Sequence, residues 1–190
     1  MNITKLSIAT LGALAMASPA VAQDTTAPES VPTAQEQSRT ERDAVGKATF
    51  ATTYGTNANK SNAFGKCVSK RDAATEEAAA EAKTNAAKEC KAEQAADEAG
   101  FATTYGTGKT KSNAYGKCVS GKAKAQTAET VEEQVEARIS ASKSCKAERK
   151  ADAVAFKAKY GGKSNAFGKC VSTTAKAQED KPEETAPTTA

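Results

Sequence analysis

Residues 112–120 read SNAYGKCVS, and residues 61–69 and 164–172 both read SNAFGKCVS. Each nonapeptide ends a longer match. FATTYGTNANKSNAFGKCVS starts at Phe50, FATTYGTGKTKSNAYGKCVS at Phe101, and FKAKYGGKSNAFGKCVS, three residues shorter in its loop, at Phe156. Agreement over this length marks duplication of one unit. All nine aromatic residues of the chain fall inside the three segments, three in each.

The rest of the chain is poor in large apolar side chains. After residue 22 there is no Leu, Met, Trp or His, and Ile139 is the one isoleucine. Such a chain cannot build one ordinary globular core, but it can build three small local clusters. Phe101 and Tyr105 stand four apart and share a helix face. Gly106 follows as a helix stop, the polar loop TGKTKS comes next, and Asn113 has the chemistry of an N-cap for a second helix. Each unit therefore reads as helix, turn, helix, with its aromatics packed into the corner. Between corners the chain is rich in Ala, Glu and Lys, which favour helix, and Val131, Val135 and Ile139 form a stripe spaced by four. The fold class is all-α: helical-hairpin repeats at about 47–98, 99–153 and 154–176, joined by long Ala-rich helices.

Residues 1–22 have the charged start, apolar middle and small-residue end of a cleavable secretory signal, with cleavage expected after Ala22. The apolar run of about 12 residues is short of the ~20 needed to span a bilayer. Residues 23–46 and 177–190 lack an apolar period and read as disordered. The expected location is secreted, periplasmic or extracellular.

Five cysteines, Cys67, Cys90, Cys118, Cys145 and Cys170, sit in a chain with no histidine. In an exported protein the default is disulfide bonding. No CxxC pair exists, so neither a metal site nor a dithiol redox centre is indicated. Two pairings respect the duplication: Cys90–Cys118 with Cys145–Cys170, or Cys67–Cys90 with Cys118–Cys145. The first is favoured. The aromatic corner between Cys90 and Cys118 must turn the chain back, and Asp97 and Asp152 can cap a second short helix there. A straight helix from Cys67 to Cys90 would hold its ends ~35 Å apart, against the ~7 Å that a bridge allows. Each favoured bridge is worth ~3–4 kcal/mol. Cys67 is then unpaired, because the position eleven before Phe50 is Arg39. An exposed Cys67 would form a covalent homodimer.

The chain carries 27 Lys and Arg against 23 Asp and Glu. Residues 46–71, 99–124 and 156–176 each hold five bases and no acid, whereas residues 72–98 hold eight acids and three bases. Lys60, Lys66, Lys109, Lys111, Lys117, Lys163 and Lys169 are the candidates for polyanion contact. Without His the usual general base is missing, and YGTGK at 105–109 lacks the spacing of a phosphate-binding loop. No enzyme activity and no cofactor are expected.

The pattern F-x-x-x-Y-G, a short loop and NAFGKCVS, with an upstream CKAE, resembles repeats in uncharacterised exported bacterial proteins. The likeness covers about residues 47–176. It implies export and repetition, and no activity. The sequence thus points to a non-enzymatic structural or interaction protein of the cell envelope or extracellular space. The alternative is a weak polyanion-binding module for anionic wall polymer, lipopolysaccharide or extracellular nucleic acid.

Overall fold

The computed structural model describes residues 30–161 and 165–180. The signal segment, Lys163 and residues 181–190 lie outside them. The described residues form seven helices and no strands: α1 Ala34–Val45, α2 Lys47–Tyr54, α3 Ala63–Ala96, α4 Glu98–Tyr105, α5 Ala114–Ala151, α6 Ala153–Tyr160 and α7 Ala166–Glu179. No helix among them is long and apolar enough to cross a membrane.

Three short helices, α2, α4 and α6, make the corners; α3 and α5 run between them, α1 precedes the first and α7 follows the third. α3 packs most extensively on α5, α5 next on α7, and α1 lies against both α3 and α5. Small side chains on α3, among them Ala78, Ala82 and Ala86, are buried, as are Thr127, Val131 and Val135 on α5. Because α3 and α5 are antiparallel, the first corner (α2) and the third (α6) share one end of the bundle. The second corner (α4) occupies the other end. The larger apolar residues fall into three clusters, one per corner.

The chain breaks where Asp97 and Asp152 stand. Both adopt extended backbone, and their carboxylates accept from Gly100 N–H and from Val154 and Ala155 N–H. These caps satisfy amides that a helix start leaves open and let α4 and α6 turn away. At the first corner Gly46 holds that place at φ 85°, a conformation that favours glycine.

Three expectations need correction. Residues 34–45 are not disordered: Thr33 and Glu36 form a capping box, and the helix buries Gln37, Ser38 and Glu41. A buried face made of polar side chains has no apolar period to read. At the other end α7 runs on to Glu179, past the boundary placed at residue 176. Asn62 and Asn113 do precede helices, but neither side chain caps its helix. Each clasps the loop behind it. Asn113 Oδ1 accepts from Thr107 N–H at 2.9 Å and its amide donates to Thr107 Oγ1 at 2.6 Å; Asn62 does the same with Thr56.

The glycine of FGKC has one role in the third unit and none like it in the others. A Cβ on Gly168 would lie 2.6 Å from the Thr53 carbonyl oxygen, where α7 meets α2, whereas Gly65 and Gly116 face open space. Gly168→Ala is expected to destabilise by ~1–3 kcal/mol through forced separation of the two helices. Gly65→Ala and Gly116→Ala should be neutral or stabilising by up to ~1 kcal/mol. Thermal melts followed by circular dichroism compare them, and equal effects at the three sites would contradict the packing role.

Candidate functional site

Each corner is built from the same parts. The Phe–Tyr pair four residues apart stacks at ring-centroid distances of 4.9, 4.9 and 4.8 Å for Phe50–Tyr54, Phe101–Tyr105 and Phe156–Tyr160. The tyrosine hydroxyl donates to a glutamate on the preceding long helix: Tyr54 to Glu41 at 2.7 Å, Tyr105 to Glu93 at 2.9 Å, Tyr160 to Glu148 at 3.0 Å. The glutamate then takes a cation. Arg71 donates to Glu41 at 2.8 Å, Lys122 to Glu93 at 2.7 Å, and Lys159 to Glu148 at 2.9 Å. Sequence reading quoted CKAE and gave its glutamate no part. The signal was there: in each unit one glutamate stands twelve or thirteen residues before the tyrosine.

Sulfur chemistry separates the corners. Cys90 is bonded to Cys118 and Cys145 to Cys170, with Cα–Cα distances of 6.1 and 6.0 Å. Cys67 is free and buried. Its Sγ lies 3.8 Å from Glu41 Oε2, in a cluster with Tyr54 and Arg71 that is 0–5% exposed. Arg138 of α5 adds a contact from its guanidinium to the Tyr54 oxygen at 3.4 Å. Burial, partly offset by the nearby Ser38 side chain, raises the Cys67 pKa, and the Glu41 charge raises it further. The thiol form is therefore favoured, the opposite of what a nucleophilic cysteine needs. Nor is the thiol at the surface, so a bridge to a second chain would require this corner to open first.

The candidate lysines divide into two sets. Lys60 and Lys111 sit at positive φ, 58° and 51°, and turn inward: Lys60 Nζ donates to the Gly55 carbonyl and Lys111 Nζ to Thr103 Oγ1. Their stems lie on the glycines that end α2 and α4, where a Cβ would meet them at 2.7 and 2.5 Å. Lys66, Lys109, Lys117 and Lys169 are exposed. Four of the seven thus face solvent, two tie loops, and Lys163 lies outside the described residues.

The corner aromatics serve as packing. Phe50, Tyr54, Phe101, Phe156 and Phe167 are buried, and among the described residues Tyr115 is the exposed large aromatic. No group of three or more Cys, Asp or Glu able to hold a metal ion occurs among the described residues. No family model matches the chain, and neither curated proteins nor solved structures match it.

Proposed function

We propose that this chain is an exported, non-enzymatic structural or interaction protein, built from three repeats of one stapled corner set on Ala-rich helices. The observation that supports it best is how each corner is closed. Two are closed by buried disulfides, which persist in oxidising compartments. The first is closed by Glu41, which accepts from the Tyr54 hydroxyl and the Arg71 guanidinium.

The test is the state of the protein recovered from its host. Export predicts a mature chain starting at Gln23, found in the extracellular or periplasmic fraction. Mass spectrometry should find two disulfides and one free thiol. Reduction should lower helicity and broaden the melt. A cytoplasmic chain carrying five thiols would overturn the reading.

A second reading is polyanion binding through the corners. The solvent exposure of Lys66, Lys109, Lys117 and Lys169 favours it. Such binding would be electrostatic and would weaken steeply as salt rises.

A further inference from the structure

The three corners are alike in sequence and unlike in charge. Arg42 lies over the Phe64 ring with its guanidinium carbon 5.8 Å from the centroid, and Arg149 lies over the Phe167 ring at 4.7 Å. Each arginine directly follows the glutamate that holds its corner's tyrosine. Each phenylalanine is followed two residues later by an exposed lysine, Lys66 or Lys169. At the second corner the corresponding residues are Gln94 and Tyr115. The arginine is missing there, and Lys122 is engaged by both Glu89 and Glu93 at 3.1 and 2.7 Å.

The two arginine-bearing corners are also the two that meet. α2 packs on α7, with Gly168 set against the Thr53 carbonyl. Residues 39–72, 138–161 and 165–170, which form this end, hold fifteen Lys and Arg against five Asp and Glu. The middle, residues 73–85, 125–137 and 171–180, holds two against nine. The far end, residues 86–124, holds seven against four. Charges more than ~8 Å apart are largely screened at physiological salt. A ligand at one end therefore meets the local excess, not the near-neutral whole.

We propose that the end shared by the first and third corners is one binding site for a linear anionic polysaccharide, with Arg42, Arg149, Lys66 and Lys169 as its contacts. This rests on the polyanion reading above and narrows it from three corners to one end. Guanidinium planes engage sulfate, phosphate or carboxylate groups in bidentate fashion; Arg149 is held over Phe167 before the ligand arrives, and Arg42 is held by Phe64 and by an exposed pair with Asp43 at 2.9 Å, which a ligand would have to displace. A polysaccharide fits better than single-stranded nucleic acid. Binding of the latter uses open aromatic faces for its bases, and here Phe64 and Phe167 are covered by the arginines, while Tyr115 belongs to the opposite end.

The experiment is salt elution and titration on immobilised heparin, with single-stranded oligothymidylate as the second probe. The full mature chain with its disulfides intact is used. Arg42→Gln, Arg149→Gln, Lys66→Gln and Lys169→Gln together are expected to weaken heparin binding about 100-fold at low salt and to flatten the salt dependence. Lys109→Gln with Lys117→Gln should weaken it less than about threefold. Gln94→Arg, which places an arginine at the second corner, should change it less than about twofold, and Arg42→Gln with Arg149→Gln alone, expected to weaken it about tenfold, serves as the test if the fourfold variant does not fold. Equal losses at both ends, or a gain from Gln94→Arg as large as the loss from the arginine pair, would overturn the assignment to one end and leave the polyanion reading standing. Tighter binding to oligothymidylate than to heparin would overturn the polysaccharide. Failure of the unaltered protein to bind heparin at low salt would end both.

Discussion

Arg71→Ala is expected to destabilise the protein by ~3–5 kcal/mol, a large part of the ~5–15 kcal/mol that holds an ordinary domain together. The reason is what remains behind. Glu41 is fully buried, and Arg71 is 2% exposed. Removing the guanidinium leaves a carboxylate away from water with the Tyr54 hydroxyl as its main donor. Replacing both partners is a different case: Glu41→Leu with Arg71→Met should recover much of the loss, because no charge is stranded. Lys122→Ala at the second corner should cost far less, since Lys122 is 28% and Glu93 42% exposed and water takes over the solvation of the acid left behind. Urea unfolding decides the matter. A loss below ~1 kcal/mol for Arg71→Ala would mean that water already reaches Glu41.

The same cluster sets an alkaline limit. Burial first, and the Glu41 charge second, raise the Tyr54 phenol above its ordinary range. In the unfolded chain a tyrosine loses its proton near pH ~10 and a cysteine near ~8.5. In the fold Tyr54 and Cys67 both hold theirs longer. Unfolding then releases protons, so stability is full below ~8.5 and falls as pH climbs past it and past ~10. Tyr54→Phe with Cys67→Ser should flatten that decline. A decline unchanged in this variant would place its origin elsewhere.

The aromatic corners and the short helices after Asp97 and Asp152 were legible because large side chains and unusual letters carry them. The cysteine pairing followed from two arguments: the aromatic corner turns the chain back between Cys90 and Cys118, and a helix cannot bring its own ends together. What escaped reading was polar. α1 buries Gln37, Ser38 and Glu41, residues that composition assigns to solvent, so the helix looked like a tail. The asparagines before α3 and α5 have the chemistry of caps and the geometry of clasps. Whether an asparagine turns forward to the helix or back to the loop depends on where Thr56 and Thr107 lie, which the spacing does not state. The division of the lysines into tethered and free likewise depends on backbone at positive φ that nothing in the side chain announces.

The unpaired sulfur is where sequence alignment and spatial alignment part. Counting back eleven residues from Phe50 reaches Arg39, but counting from the glutamate gives another answer. Cys90 precedes Glu93 by three and Cys145 precedes Glu148 by three; Ser38 precedes Glu41 by three. The glutamates are equivalent in space, since each accepts from its corner's tyrosine. The chain then carries one additional residue before the corner, where Gly46 at φ 85° takes the place of the aspartate cap. Ser38 is fully buried, its hydroxyl donates to the Ala34 carbonyl, and its side chain is close enough to Cys67 to influence the thiol's pKa. Ser38 therefore stands where the first unit's second cysteine would be. Ser38→Cys is expected to form a third disulfide with Cys67 on oxidative folding. The closed loop resembles the other two in length, so the gain should be ~3–4 kcal/mol, or roughly 6–15 °C in Tm for a chain of this size. Thiol titration should fall from one free thiol to none, and non-reducing peptide mapping should recover residues 38 and 67 joined. Arg39→Cys is the matched control, because Arg39 is exposed and its sulfur would point away from the corner. If Arg39→Cys bridges to Cys67 and Ser38→Cys does not, the register taken from the glutamates is wrong, and α1 meets the first corner one residue out of step with its counterparts.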